Sequence, residues 1–315
     1  MKKARLQGNI LLFTTALIWG AGFVAQKIGV VQVGTFTLTA ARFFISGIAL
    51  LPAALFSVRR EKTRQACVET KSGAGSRKAL LLGGALCGLC LMLATVSQQT
   101  GLESTNAGKA GFITALYILF VPIFRFFGGR KVTLVVWLSV LAALAGLYLL
   151  CVKEGFSVAK GDLYVLLCAL IFTVHILVVD KFSPITNGVV LSCIQFFVAS
   201  LTAAIPMLIF EKPDFAEVIS CWAPLLYLGV ISGGAGYTLQ ILGQRNTEPT
   251  VASLILSLEA VFAALSGVLL LGETFTGREL AGCALMFAAT IVSQVDVKRV
   301  QERLLRKNQT GANMP

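Results

Sequence analysis

The chain has 315 residues, of which 56% are hydrophobic and only 13% are charged, and its mean hydropathy is +0.82. These values exclude an ordinary water-soluble domain and indicate a protein that is dissolved in the hydrocarbon core of a lipid bilayer. The net charge of +12 is better explained by attraction to anionic lipid headgroups than by nucleic-acid binding, so no nucleic-acid partner is expected.

Ten apolar runs, each long enough to cross about 30 Å of hydrocarbon, follow one another along the chain. In a bilayer the backbone must satisfy its own hydrogen bonds, and the period-two alternation of a β-barrel is absent, so each run is predicted to be a helix. The sequence therefore predicts an all-α polytopic membrane protein. The ten predicted spans are 9–26, 35–56, 79–99, 107–126, 132–151, 163–179, 189–210, 222–243, 251–271 and 280–295.

The first run follows the basic segment 1–8 and has features of a signal peptide. It is longer than a typical h-region of about 7–15 residues and lacks a clear cleavage site before Lys27, so we expect it to be retained. Segment 57–79 is hydrophilic and basic, and we interpret it as a flexible linker. Segment 296–315 is predicted to be a charged tail.

The hydrophobic pattern of the first half recurs in the second half about 153 residues later. The matching stretches are 8–9 with 161–162, 16–19 with 169–172, and 42–44 with 195–197. Two repeats, 9–151 and 163–295, are thus joined by a connecting segment, 152–162. Each repeat holds five spans, and because five is odd, the second copy must enter the membrane from the opposite side. The halves are therefore predicted to be inverted repeats, with the substrate site between them near the midplane.

Basic residues predict the orientation, because short cytoplasmic loops retain Lys and Arg. If the N-terminus is cytoplasmic, the inner segments carry twenty Lys and Arg residues and the outer segments carry six, with Arg42 inside the second span. Both termini and the linker are therefore predicted to be cytoplasmic, and segment 152–162 to be outside.

Four segments stand out by their order and spacing: WGAGFVAQK at 19–27, ARF at 41–43, KAGFITALY at 109–117 followed by Pro122, and SLEAVFAAL at 257–265 closed by LLGE at 270–273. Together they make the chain similar to the EamA family of the drug/metabolite transporter superfamily, over about residues 9–295. Many relatives have Pro where this chain has Ala260, so its ninth helix is expected to be straighter than theirs. The resemblance implies movement of small organic solutes, often amino acids or other metabolites outward, across a bacterial plasma membrane.

Two ionisable residues inside the spans, Arg42 and Glu259, have both a structural and a functional interpretation. A charge at the bilayer centre costs about 2.5–3.5 kcal/mol, so such a residue usually faces a cavity or a partner. Arg42 lies about two turns from the outer end of its span, and we interpret it, like Lys27, as an anchor. Its repeat counterpart, Gln195, is uncharged.

Glu259 is near the middle of the ninth span, and an offset of about 145 residues makes Thr114 its counterpart. Because a buried carboxylate is costly to keep charged, this residue is suited to carry a proton or to pair with a cationic substrate group. A structural glutamate, hydrogen bonded to a neighbouring helix, is the alternative.

His175 is the single histidine of the chain and is matched by Gly22 in the first repeat. One histidine cannot form a metal site. It either lines the substrate path or is hydrogen bonded between helices. The full set of residues predicted to line that path is Trp19, Gln98, Thr114, Tyr117, His175, Tyr237, Gln240 and Glu259.

The sequence lacks the motifs of the common cofactor, metal and ATP sites. Cys87 and Cys90 form C-x-x-C, but inside an apolar helix and without a second ligand pair, so neither zinc nor redox chemistry is supported. There is no P-loop and no G-x-S-x-G or H-E-x-x-H motif, so neither an enzyme nor a cofactor is expected, apart from coupling to protons.

The function predicted is secondary transport, with export of small organic metabolites such as amino acids by alternating access. The alternatives are efflux of drugs or cationic compounds and, less favoured, a membrane enzyme or a channel. The expected partners are a small-molecule substrate and the lipid bilayer, and a homodimer is compatible with the sequence.

Overall fold

The computed structural model describes residues 2–67, 74–105, 107–152, 159–271 and 276–294. Within those ranges the regular elements are all helices and there is no strand, so the predicted all-α class is confirmed. Four predicted features lie partly or wholly outside the described residues. They are the tail 296–315, residues 68–73 of the linker, residues 153–158 of the connecting segment, and residues 272–273 of the LLGE motif.

The helices follow the predicted spans in order. A turn interrupts the fourth span at residues 115–116 and the ninth at residues 257–258, and the seventh and eighth change helix type without a gap. Spans one to three are Lys2–Val33, Thr35–Cys67 and Ala74–Ser104; span four is Ala107–Thr114 with Tyr117–Phe127; spans five and six are Leu134–Cys151 and Lys160–Phe182; span seven is Gly188–Pro206 with Met207–Glu211; span eight is Trp222–Leu226, Tyr227–Tyr237 and Thr238–Gln244; span nine is Pro249–Leu256 with Glu259–Leu271; span ten is Gly277–Val292. The segments Met207–Glu211 and Tyr227–Tyr237 are π-helical, and a short helix, Phe215–Ser220, precedes span eight.

Nine helical segments of the described chain are long and apolar enough to cross a membrane. The tenth predicted span corresponds to Gly277–Val292, whose 16 residues fall just short of the roughly 17–25 that a crossing helix needs. Its full crossing, and with it the ten-span count, stays a prediction.

The segment interpreted as a flexible linker is helical wherever it is described. The second helix continues to Cys67, and the third begins at Ala74. The sequence 57–67 contains neither Gly nor Pro and is rich in Arg, Glu, Lys and Gln, which have high helix propensity, so the helix continues beyond the apolar run.

Glycines let helices of the two halves cross at close range. A Cβ atom added to Gly8 would lie 2.7 Å from the carbonyl oxygen of Gly243, and one added to Gly243 would lie 2.9 Å from that of Gly8. Gly101 and Gly161 have the same reciprocal relation, at 2.8 and 2.6 Å. These backbones touch with no room for a side chain, as is typical of small-residue contacts between membrane helices. The first span thus crosses the eighth, and the third crosses the sixth.

A threonine bonds to an Asn or Asp side chain beside each glycine crossing. The Thr247 hydroxyl donates to Asn9 Oδ1 at 3.1 Å, next to Gly8 and Gly243. The Thr105 hydroxyl donates to Asp162 Oδ1 at 2.9 Å, next to Gly101 and Gly161. The first crossing lies where the first span begins, and the second where the sixth begins. Under the predicted topology, in which consecutive spans cross the membrane in opposite directions, these are opposite ends of the bundle.

A carboxylate from the second half caps a helix of the first half. Glu211 ends the seventh span, and its carboxylate oxygens accept hydrogen bonds from the backbone N–H of Phe36 at 2.8 Å and of Thr37 at 2.6 Å. The Thr37 hydroxyl donates to it as well, at 2.7 Å. The first N–H groups of a helix have no partner inside the helix, and the positive end of its dipole favours an anion. Glu211 therefore ties the seventh span to the start of the second.

Removing this cap is expected to destabilise the protein. Glu211→Gln retains the shape but replaces one acceptor oxygen and the charge, which costs about 1 kcal/mol for a helix cap. We expect the thermal midpoint of the purified protein to fall by about 2–4 °C. The matched control is Glu217→Gln, which removes an exposed carboxylate from the nearby short helix. Equal midpoints for the two variants would show that the Glu211 cap contributes nothing.

Candidate functional site

A small cavity lies between the two halves, among spans one, two, three, four, six, eight and nine. Its volume is about 30 Å³, which is room for about two water molecules. The side chains around it are mostly aromatic, amide or ionisable. The lining residues are Trp19, Phe23, Gln26, Arg42, Gln98, Thr114, Tyr117, Phe172, Ile176, Ser232, Tyr237, Gln240, Leu256 and Glu259.

The structure brings seven of the eight residues predicted to line a substrate path into this one lining: Trp19, Gln98, Thr114, Tyr117, Tyr237, Gln240 and Glu259. Sequence reasoning did not select Gln26 as a lining residue. A signal for it exists, because Trp19, Phe23 and Gln26 have the spacing of one helix face. Phe172, Ser232 and Leu256 had no such signal.

The fourth and ninth spans are both interrupted at the cavity. In the fourth, Leu116 N–H bonds to Ile113 O at 3.2 Å, three residues back instead of four. In the ninth, Leu258 N–H bonds to Ile255 O at 3.2 Å in the same way. The residues that flank these tightened turns line the cavity. The ninth span is thus not one continuous helix, and its straightness relative to that of its relatives stays a prediction.

Tyr117 and Glu259 are the first residues after the two interruptions, and they bond to each other. The Tyr117 hydroxyl donates to Glu259 Oε1 at 3.1 Å, and both side chains are buried. If the halves are repeats as predicted, matching the interruptions aligns the spans at an offset of 142 residues and makes Tyr117, in place of Thr114, the counterpart of Glu259. The sequence offset is ambiguous here because apolar helices give little register information.

Arg42 lies in the cavity lining, where its charge is not exposed to solvent. The side chain is 2% exposed, and one guanidinium nitrogen, Nη1, donates to Gln26 Oε1 at 3.3 Å. Its Nε has no hydrogen-bond partner among the described residues. Lys27, the other residue interpreted as an anchor, is exposed on the first helix.

The remaining polar groups link neighbouring spans across the lining. Gln98 Nε2 donates to the Thr114 hydroxyl at 3.2 Å, and the Trp19 indole N–H donates to Ser232 O at 3.2 Å. The indole also packs on the ring of Tyr237, with centroids 4.6 Å apart. Within the described part of the chain, Gln240 Oε1 has no partner.

His175 is buried behind Tyr237 and is not part of the lining. Its Nε2 lies 3.2 Å from Gln195 Oε1, and its ring meets the ring of Tyr237 edge to face, with centroids 6.1 Å apart. This arrangement agrees with the second interpretation of His175, in which the side chain is hydrogen bonded between helices.

A polytopic helical bundle with a polar cavity at two interrupted helices is typical of membrane transporters. The model of the EamA-like transporter family matches residues 6–152 and 159–294. The chain therefore belongs to the EamA-like transporter family. Its members are transporters, not enzymes, and we describe the chain as a multi-pass protein of the bacterial inner membrane.

Relatives along most of the chain are also named as transporters. An uncharacterized transporter of Archaeoglobus fulgidus is 30% identical over 302 residues, covering 93% of this chain and 87% of the relative. The uncharacterized inner membrane transporter YedA of Escherichia coli K12 is 24% identical over 286 residues, and the match covers 90% of this chain and 89% of YedA. The threonine/homoserine exporter RhtA of Salmonella typhimurium is 28% identical over 105 residues, and the match covers 32% of this chain and 36% of RhtA.

A solved structure titled "Crystal structure of protein" has the same fold. Its TM-score is 0.71 at 21% sequence identity, and the match covers 93% of this chain and 98% of the other. This likeness supports the arrangement of the helices and says nothing further about function.

His175 is expected to affect solute binding little, because Tyr237 separates it from the cavity. For any solute that stabilises the purified protein in a thermal-shift titration, His175→Gln should change the Kd by less than about threefold. Tyr237→Ala, which removes a lining ring, should raise the Kd by about tenfold or more. If His175→Gln weakens binding as much as Tyr237→Ala does, the histidine belongs to the substrate path after all.

Proposed function

We propose that this protein is a secondary transporter that exports small organic metabolites, such as amino acids and related compounds. The observation that carries the proposal is the cavity at the matched interruptions of spans four and nine. In a bilayer, backbone that leaves the helical pattern is tolerated only where protein or a cavity covers it. Interrupted helices at corresponding places in two repeats are the best pointer to a substrate site.

The two halves work as inverted five-span repeats with both termini in the cytoplasm. Contacts between repeat counterparts support the inversion. Phe43 and Phe196, 153 residues apart, stack with centroids 6.1 Å apart and planes at 7°, as expected of residues beside a two-fold axis. The two glycine crossings obey the same relation at opposite ends of the bundle. The orientation rests on the excess of Lys and Arg in the inner segments.

Alternating access then opens one end of the bundle at a time. The Thr247 to Asn9 bond closes the cytoplasmic end, and the Thr105 to Asp162 bond closes the outer end. Both bonds are present together, and the cavity has a volume of only about 30 Å³, so a solute of amino-acid size does not fit in this conformation. A solute of amino-acid size enters only when one crossing separates.

Outward transport of amino acids is supported by similarity alone. RhtA, named as a threonine/homoserine exporter, matches about a third of this chain. The cavity is compatible with such solutes, because its lining combines ionisable groups with amides and aromatic rings.

Counterflow in liposomes tests whether the protein is a carrier. Purified protein is reconstituted, loaded with unlabelled L-threonine or L-homoserine, and diluted into a trace of the labelled solute. A carrier gives transient, saturable accumulation of label that protein-free liposomes lack. A wider set of amino acids, nucleosides, sugars and amines, first ranked by thermal shift, covers other substrates because a bound solute stabilises the fold. Non-saturable flux would indicate a channel, and turnover without movement would indicate an enzyme.

Glu259 is proposed to carry the proton that drives net transport. Its carboxyl group faces the cavity, is 6% exposed, and is bonded to Tyr117. Charge is costly at this depth, so the residue releases its proton only when a crossing opens it to water. Exchange of one solute molecule for another needs no net proton movement. Counterflow therefore measures solute binding and movement independently of proton coupling.

The substitution Glu259→Gln is expected to abolish solute-driven proton flux into liposomes and to leave counterflow in place. The amide retains the size of the side chain but cannot exchange a proton. Glu103→Gln, which removes an exposed carboxylate bonded to Thr35, is the control and should retain both activities. Proton flux that is unchanged in Glu259→Gln would exclude this residue as the coupling group.

A further inference from the structure

Arg42 has a buried positive charge with no described carboxylate paired to it. Its hydrogen bonds go to neutral groups, the amide of Gln26 and the hydroxyl of Tyr237, and its guanidinium carbon lies 4.6 Å from the ring centre of its neighbour Phe43. Nε has no partner in the described chain. Glu259 lines the same cavity, but its described hydrogen bond is to Tyr117. The guanidinium thus retains unused hydrogen-bonding capacity at the cavity wall.

A buried charge of this kind is unfavourable unless something compensates it. Removing a charge from water costs several kcal/mol, and two neutral oxygens, those of the Gln26 amide and the Tyr237 hydroxyl, repay only part of that cost. Arginine is also the residue best suited to binding a carboxylate, because its planar fork donates two parallel hydrogen bonds. The missing counter-charge therefore points to an anionic group that arrives from the cavity.

The second repeat shows that the fold does not need a charge at this place. Gln195 is the counterpart of Arg42, and like Arg42 it is buried and bonded to the preceding span, here to His175. It has the same place in the packing without a charge, and it is absent from the cavity lining. A purely structural role for Arg42 would leave its charge unexplained.

We propose that Arg42 binds a carboxylate of the transported solute, so that the protein selects solutes with an acidic group and discriminates against amines that lack one. This inference rests on the proposed transport function and specifies the recognition at its site. Gln240 Oε1, which has no described partner, is an acceptor for the amino or hydroxyl donors of the same solute. The rings of Trp19 and Phe172 cover its apolar part. Efflux of purely cationic compounds is disfavoured, because Arg42 would repel them.

Binding to matched probes tests this recognition without any need for transport. The probes are L-threonine and L-phenylalanine, the carboxamide of each, and phenethylamine, which is phenylalanine without its carboxylate. Kd values come from thermal-shift titrations up to about 10 mM, where millimolar binding still registers. The wild-type protein should bind at least one acid about 30-fold or more tightly than its carboxamide, as is typical when a buried charge loses its partner.

The variants assign the preference to Arg42. Arg42→Gln gives the first repeat the glutamine that the second repeat has at Gln195. The Kd values of this variant for an acid and for its carboxamide should agree within about threefold. Arg42→Lys retains the charge and should keep a reduced preference for the acid. Lys27→Gln removes an exposed cation from the first span and should behave as wild type.

Three results would overturn the proposal: equal binding of acid and carboxamide by the wild type, an acid preference that survives in Arg42→Gln, or no binding of either acid. The first and third results are measured on the wild-type protein, so the proposal can be overturned even when Arg42→Gln does not fold. The two proposals also fail separately. If acid binding depends on Arg42 but counterflow is absent, transport is wrong and the anion site stands. If amines bind and exchange but acids do not, transport stands and this inference is wrong.

Discussion

Backbone polar groups inside a bilayer must be satisfied by the protein itself, and the rest of this structure depends on that constraint. It makes every described span helical, and it restricts interruptions to places that other spans cover. The two interruptions in the middle of the bundle, at Leu116 and Leu258, are both enclosed by neighbouring spans and both flank the cavity. The hydrogen bond from Tyr117 to Glu259 joins them, so the two interruptions meet at the polar cavity.

Near-symmetry in the scaffold contrasts with asymmetry in the chemistry. Stacked phenylalanines and paired glycine crossings lie at matching positions of the two predicted repeats, because packing depends on shape and small residues satisfy it in both copies. The polar counterparts differ. Arg42 faces the cavity whereas Gln195 bonds to His175 outside it, and Tyr117 donates to Glu259 rather than duplicating it. Substrate recognition and coupling need single groups at defined places, so selection can change one copy of a polar position without disturbing the helix contacts.

Much of the candidate site could be predicted from residue type and depth in the membrane. Polar residues within apolar spans are costly, so seven of eight such predictions fell around one cavity. Orientation was the part that the sequence could not supply. His175 is as deep as the others but lies behind Tyr237, and Arg42 turns inward although it is near enough to the outer end of its span to extend toward it. Helical spacing gives relative angles along one helix, and only its neighbours decide which angle faces the cavity.

The sequence by itself determined the solvent, the all-helical class, the order of the spans and the family, because hydrophobic length and repeated motifs are local properties of the chain. Only the tertiary structure decided where the fourth and ninth spans break, that Tyr117 bonds to Glu259, and that the Arg42 charge has no carboxylate partner among the described residues. The bond between Tyr117 and Glu259 joins spans 142 residues apart in the chain. In an apolar chain such contacts are made by shape and by a few hydrogen bonds, neither of which leaves a periodic signal in the sequence.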